Sequence, residues 1–156
     1  AANALLNQGV DVMTHYTNSP AVVITADARN VATISFHSDM RKYAPKQYLT
    51  GMTHHWGSYY TKAVSEALAG RCQTGLIVGG IKEGTIKLAP LSPQIPKDVV
   101  ALVEAKTKDI ADGRLKVFSG PIKDNKGVVR AAAGTSLSDA DLGKMDWFAD
   151  GISVGQ

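Results

Sequence analysis

The chain has 156 residues, 44% of them apolar and 20% charged, with 17 Lys+Arg against 14 Asp+Glu and one cysteine. These values exclude a collagen-like, disordered or disulfide-stapled chain and leave room for one real hydrophobic core. The charge of +3 is mild and its positives are interleaved with acids; no nucleic-acid footprint is expected.

No apolar stretch approaches the roughly 20 residues that span a bilayer. The start, Ala1-Ala2-Asn3-Ala4-Leu5-Leu6, has neither an initiator Met nor a basic segment, so it is not a signal peptide. It reads instead as a processed end or a cut from something larger.

In chain order, a helix is expected from Ala1 to Gln8, stopped by Gly9. Val10 to Tyr16 is a β-branched strand. Ser19-Pro20 supplies an N-cap and a first-turn proline for a helix to about Arg29. Strands follow at Val31–Phe36 and Tyr48–Thr53. Gly57 to Ala69 is a helix whose Tyr60, Ala63, Val64, Ala67 and Leu68 share an apolar face. Short strands are expected at Gly75–Val78 and Thr85–Ala89, around the turn Gly79-Gly80-Ile81-Lys82-Glu83-Gly84. A helix from Pro96 to Asp112 turns Val99, Leu102, Val103 and Ile110 inward. Then come a strand at Leu115–Val117, a polar turn at Lys123–Gly127 and a short helix from Ser138. This alternation implies an α/β fold with a mostly parallel, Rossmann-like sheet flanked by helices. Such a sheet begins with a strand, whereas this chain opens in a helix.

Charge and rings are unevenly shared. Residues 1–60 hold seven charged side chains, all four histidines and seven of the ten aromatics, and should be the more buried part or line a cleft. In open α/β sheets ligands bind beyond the carboxyl ends of the strands. Those ends are His15-Tyr16-Thr17-Asn18-Ser19, Phe36-His37-Ser38-Asp39 and His54-His55-Trp56. Each brings a histidine and an aromatic, a set suited to a flat or sugar-bearing small molecule; the other reading is that these aromatics cap the core beside solvated histidines.

Other chemistry is poorly supported. No His-x-x-x-His or paired-cysteine spacing suggests a metal, and no Gly-x-Ser-x-Gly elbow suggests a hydrolase. Cys72 follows a helix terminus with no histidine near it in sequence. Lys82 could swing from its glycine-rich turn toward a ligand or could be solvated. Arg41-Lys42-Tyr43-Ala44-Pro45-Lys46 reads as a basic solvated loop. An enzymatic alternative would use His37, Asp39 and His54 or His55 as acid and base groups on a small or nucleoside substrate.

Several segments in order carry a family resemblance: Asn7-Gln8-Gly9-Val10-Asp11-Val12, Thr14–Ser19, His37-Ser38-Asp39-Met40, Tyr43-Ala44-Pro45, Trp56-Gly57-Ser58-Tyr59-Tyr60, Gly80–Gly84 and Leu88-Ala89-Pro90. Together they resemble the carboxyl-terminal half of the basic membrane protein family, the substrate-binding lipoproteins of ABC importers of the purine-nucleoside-receptor type. The resemblance implies part of a type I periplasmic-binding-protein fold, with a purine nucleoside or base held between two lobes, no catalysis and no cofactor. It implies that residues 1–156 are the carboxyl-terminal part, without the amino-terminal lobe. Residues 1–55 would form the strand-end half of the cleft, and 56–156 the helices and strands crossing between lobes. It places the family's acidic ligand residue on Asp39 and its turn lysine on Lys82, and sets Trp56 at the crossing; Tyr16, Asn18 and His37 follow from their strand ends. The implied partners are an ABC permease and ATPase, with the membrane reached only through a lipid anchor on the missing amino terminus. The implied location is the periplasm or the outer face of the bacterial cytoplasmic membrane.

Overall fold

The computed structural model describes residues 1–71, 74–75 and 77–153. Two units divide the chain, Ala1–Lys108 and Asp109–Gln156.

The first unit is built on a four-stranded sheet in the order β1-β2-β3-β4. The strands are β1 (Val12–Thr14), β2 (Ala32–Ser35), β3 (Tyr48–His54) and β4 (Ile86–Leu88). The first three run parallel and β4 pairs antiparallel to β3. Helix α1 (Ala2–Leu6) precedes β1, and α2 (Ala21–Ala28) provides the crossover between the parallel strands β1 and β2. Gly9 holds φ 81° just past α1, the left-handed turn expected of a helix stop. Pro20 takes the N-cap of α2, one place later than expected, and the Ser19 hydroxyl accepts from Ala21 N–H at 3.3 Å.

Two clusters form the core beside this helical layer. Leu6, Met13 and Ala26 join α1, β1 and α2; Val23, Met40, Ala44, Tyr48 and Ala89 join α2 to β3. The Asp27 carboxylate, near the end of α2, accepts the N–H groups of Lys46 and Gln47 at 3.0 and 2.8 Å and so fixes the entry to β3. Among the described residues most buried ones fall within the first 60, in line with the charge distribution.

Helix α3 (Gly57–Leu68) carries the expected apolar stripe, but Tyr60, Val64 and Leu68 are exposed. On α4 (Lys97–Ala111), Val99 and Leu102 are exposed, and only Val103 and Ile110 of the expected inward set are half-buried. Periodicity locates an apolar face without saying what covers it. No strand forms at Gly75, Ile77 and Val78. The expected turn at Cys72 and the strand position Leu76 lie outside the described residues. Among the described residues, no helix is long and apolar enough to cross a membrane.

In the second unit, Leu115–Val117 forms no strand. The Leu115 N–H donates to Asp109 carbonyl at 3.0 Å and Arg114 pairs with Asp109 at 2.8 Å, so the chain turns back on the helix end. The expected polar turn instead closes a hairpin of β5 (Ile122–Lys123) and β6 (Val129–Ala131). Helix α5 (Asp139–Leu142) starts at Ser138 with a capping box, Ser138 accepting from Asp141 N–H and Asp141 from Ser138 N–H.

The hairpin turns about Asp124, which is 1% exposed. Its carboxylate accepts the N–H groups of Lys126 and Val128, both at 2.9 Å, and pairs with Arg130 at 2.8 Å. Burial by itself would raise the pKa; the two N–H groups and the guanidinium outweigh it and hold the carboxyl below its usual range. A depressed carboxylate stabilises the fold above the unfolded-state value and loses that contribution as pH falls through the folded one. The hairpin should therefore loosen below about pH 4. Trp147, whose ring lies 5.4 Å from the Arg130 guanidinium, is the local reporter. In a Trp56→Phe background its emission should shift on acidification, and Asp124→Asn should produce that shift at neutral pH. Emission indifferent to both would show that the pair does not hold the hairpin.

Candidate functional site

The carboxyl ends of β1, β2 and β3 assemble a continuous row of rings. Tyr16 lies 4.2 Å from Phe36, and Phe36 lies 4.0 Å from His37, centroid to centroid. His37 is 4.9 Å from His54, which stacks on Trp56 at 5.6 Å and 16°. Trp56 then meets Tyr59 and Tyr60 edge-on or tilted, at 6.2 and 6.3 Å. Side-by-side parallel strands put residues at and just past their ends next to one another, so rings from three strand ends become one surface. Tyr16 is 80% exposed and Trp56 50%, leaving faces free for another flat group.

The middle of the row is held by backbone strain and buried hydroxyls. His37 sits at φ 70°, uncommon for a residue with a Cβ. Before it, the Ser35 hydroxyl donates to the Ser38 carbonyl at 2.8 Å and lies 2.8 Å from the Tyr48 hydroxyl, which accepts from Met40 N–H at 3.4 Å. Burial pushes the Tyr48 phenol above its usual pKa, against the opposing effect of its bonds to Ser35 and Met40. Tyr48 thus stays a neutral donor and acceptor tying the 35–40 turn to β3. Sequence reading passed over this pair, because a serine and a tyrosine inside strands look like ordinary sheet residues.

Beside the row a cavity of about 390 Å³ is lined by His54, Trp56, Tyr59, Gly75, Ile77, Val78, Gly79, Thr85 and Ile86. The 79–85 turn forming part of it is tightly built. Glu83 accepts the Gly80 N–H at 2.8 Å, and that bond holds its carboxyl below the usual range. Thr85 hydroxyl donates to the Gly80 carbonyl at 3.1 Å, and Thr85 carbonyl accepts from His55 N–H at 2.8 Å. Ile77 and Val78 are exposed lining residues where a paired strand was expected.

The expected site residues divide accordingly. Tyr16, His37 and Trp56 fall in the ring row. Asn18 is exposed in the turn after β1, and Lys82 is exposed in the 79–85 turn outside the cavity lining. Asp39 borders a different hollow, of about 560 Å³, with Arg41, Lys42 and Pro45. Its carboxylate pairs with Arg41 guanidinium at 2.7 Å and accepts Arg41 N–H at 3.0 Å. Of the alternative acid–base set, the His37 and His54 rings lie tilted at 38° with centroids 4.9 Å apart, and the Asp39 carboxylate pairs with Arg41.

Comparison with known proteins bears on this arrangement. The family described as ABC transporter substrate-binding protein, PnrA-like, matches residues 1–126. The chain belongs to that family. A purine-binding protein of Brucella abortus is 37% identical over 152 residues, covering 97% of this chain and 43% of its own length. Among solved structures, an ABC transporter solute-binding protein from Conexibacter woesei matches with TM-score 0.56 and 22% identity, over 75% of this chain and 40% of that one. A protein described as a transcriptional activator of the comK gene, from Bacillus halodurans, matches with TM-score 0.66 and 16% identity, over 74% and 41%. These likenesses show the fold: a parallel α/β sheet flanked by helices, of the kind found in ABC solute-binding proteins. The chain spans less than half the length of each of these relatives. The family is one of substrate-binding proteins of ABC transporters.

Proposed function

We propose that the protein captures a purine nucleoside or nucleobase for an ABC importer and does no chemistry on it. The observation that carries this reading is the row of rings along the carboxyl ends of three parallel strands, with Trp56 and Tyr16 offering free faces. Stacking on such faces suits a purine and supplies much of the affinity. The relative named as purine-binding supports the same ligand class.

In this reading residues 1–55 form the strand-end half of a cleft, and residues from 56 onward contribute segments that cross to a second lobe. Asp39 and Lys82 orient the ligand through its hydroxyl and ring N–H groups, with Asn18 and His37 at the rim. Closure of the lobes hides the ligand and presents the closed form to a permease and ATPase complex. The working place is the periplasm or the outer face of the membrane, with a lipid anchor on an amino-terminal stretch.

The test is calorimetric titration of adenine, adenosine, guanosine and inosine into the whole protein that the gene encodes. Saturable heat with at least one of them is expected, with the ligand recovered chemically intact. No heat and no thermal shift with any would remove the purine assignment, and released free base would replace a binder with an enzyme.

A further inference from the structure

A side chain that lines the cavity beside the ring row holds a buried polar atom with nothing to bond. His54 lines that cavity. Its Nε2 is sealed from water and has no hydrogen-bond partner. A neutral imidazole carries one donor and one acceptor, so either tautomer leaves a polar nitrogen unpaired at this position. Buried polar groups in folded proteins are overwhelmingly paired, and an exception asks for an explanation. The surrounding rings offer none: His54 stacks on Trp56 at 16° and is tilted against His37 at 4.9 Å. The one hydroxyl of a threonine in the lining, that of Thr85, already donates to Gly80. Asp39 and Lys82 lie outside the lining.

We infer that His54 is the specificity-determining residue of the cavity, its Nε2 hydrogen-bonding the edge of a flat heteroaromatic ring. Trp56 and Tyr59 supply the aromatic contact and Ile77, Val78 and Ile86 the aliphatic one, which select for flatness and not for heteroatoms. The nitrogen distinguishes a fused ring that bears nitrogens or their N–H on its six-membered edge from one of the same outline without them there. The nitrogen is buried in this structure, so the Trp56 side chain shifts, or the His54 ring turns about χ2, to present it when the ligand enters. This inference rests on the purine reading and adds the residue that chooses among flat ligands.

The test compares adenine and guanine with benzimidazole, a fused ring of similar shape lacking the six-membered-ring nitrogens, by calorimetry on the whole protein. In His54→Phe the better-bound purine should weaken about tenfold or more, while benzimidazole stays within roughly twofold. His54→Gln, which keeps a hydrogen-bonding group, should recover part of the loss. Equal weakening of purine and benzimidazole would show that His54 only packs, and no change in either would remove it from the site. Thermal unfolding checks each variant; if His54→Phe does not fold, His54→Leu takes its place in the same comparison. Wild-type protein that binds neither purine would overturn the functional reading and this inference with it. Wild-type binding that His54→Phe leaves intact would overturn the inference alone.

Discussion

Gly51→Ala is expected to destabilise the 1–108 unit by about 2 kcal/mol, the middle of the range for forcing an extra carbon into a packed interior. Gly51 is the register partner of Ser35 across the β2–β3 pair. A Cβ built on it would run into the Ser35 hydroxyl and come up against the Tyr48 hydroxyl, and the Ser35 carbonyl lies 3.1 Å away. Those are the groups that hold the 35–40 turn, so the new methyl displaces a bonded hydroxyl in a buried position rather than a flexible chain end. Two costs add, the overlap itself and the bond lost when Ser35 swings away. Urea unfolding followed by Trp56 emission, in a Trp147→Phe background, measures the change. The double variant Gly51→Ala, Ser35→Gly should recover part of the loss, because it removes the nearest obstacle. An unchanged midpoint in the single variant would show that β2 and β3 separate at little cost. The same substitution should also weaken ligand binding, since His37 follows directly on the loosened turn.

How far the residues foretold the site depends on whether the signal was local. Glycine at 9 and the Ser19-Pro20 pair punctuate helices within a few residues, and β-branched runs mark β1 to β3, so the parallel sheet was readable. The ring row was readable for the same reason: once strand ends are known, parallel pairing brings Tyr16, Phe36, His37, His54 and Trp56 together. What depended on partners distant in sequence was not. Ile77 and Val78 have strand composition, yet without a pairing strand they line a cavity. Asp124 sits in a polar run that reads as a solvated turn, although Asp followed by Gly three residues on is also the pattern of a side chain closing its own loop. Its burial beside Arg130 follows from the hairpin that it closes. The resemblance implied a ligand acceptor at Asp39; Arg41, two residues later, already bonds both of its oxygens. Each oxygen keeps a second lone pair, but the adjacent guanidinium offsets the charge, so ring stacking should carry more of the proposed binding than Asp39 does.

Trp56→Ala should therefore be the most damaging single change to binding, weakening the best purine ligand about ten- to hundredfold, the worth of one base-on-aromatic stack. Trp56 is the N-cap residue of α3 and its side chain makes no capping bond, so its loss leaves the helix start intact. With half its surface exposed it contributes modestly to the core. It is nevertheless the ring at which the row and the cavity coincide: it stacks on His54, meets Tyr59 and Tyr60, and lines the cavity with His54 and Tyr59. Trp56→Phe keeps a smaller face and should retain most of the affinity. Tyr16→Ala, at the far end of the row and outside the cavity lining, should cost less than Trp56→Ala. Calorimetry of the three variants with the purine that binds best to the wild type ranks them directly. If Trp56→Ala binds within roughly twofold of the wild type, well under the energy of a single stack, the ligand does not lie on this ring. A larger loss for Tyr16→Ala than for Trp56→Ala would move the ligand to the β1 end of the row, away from His54.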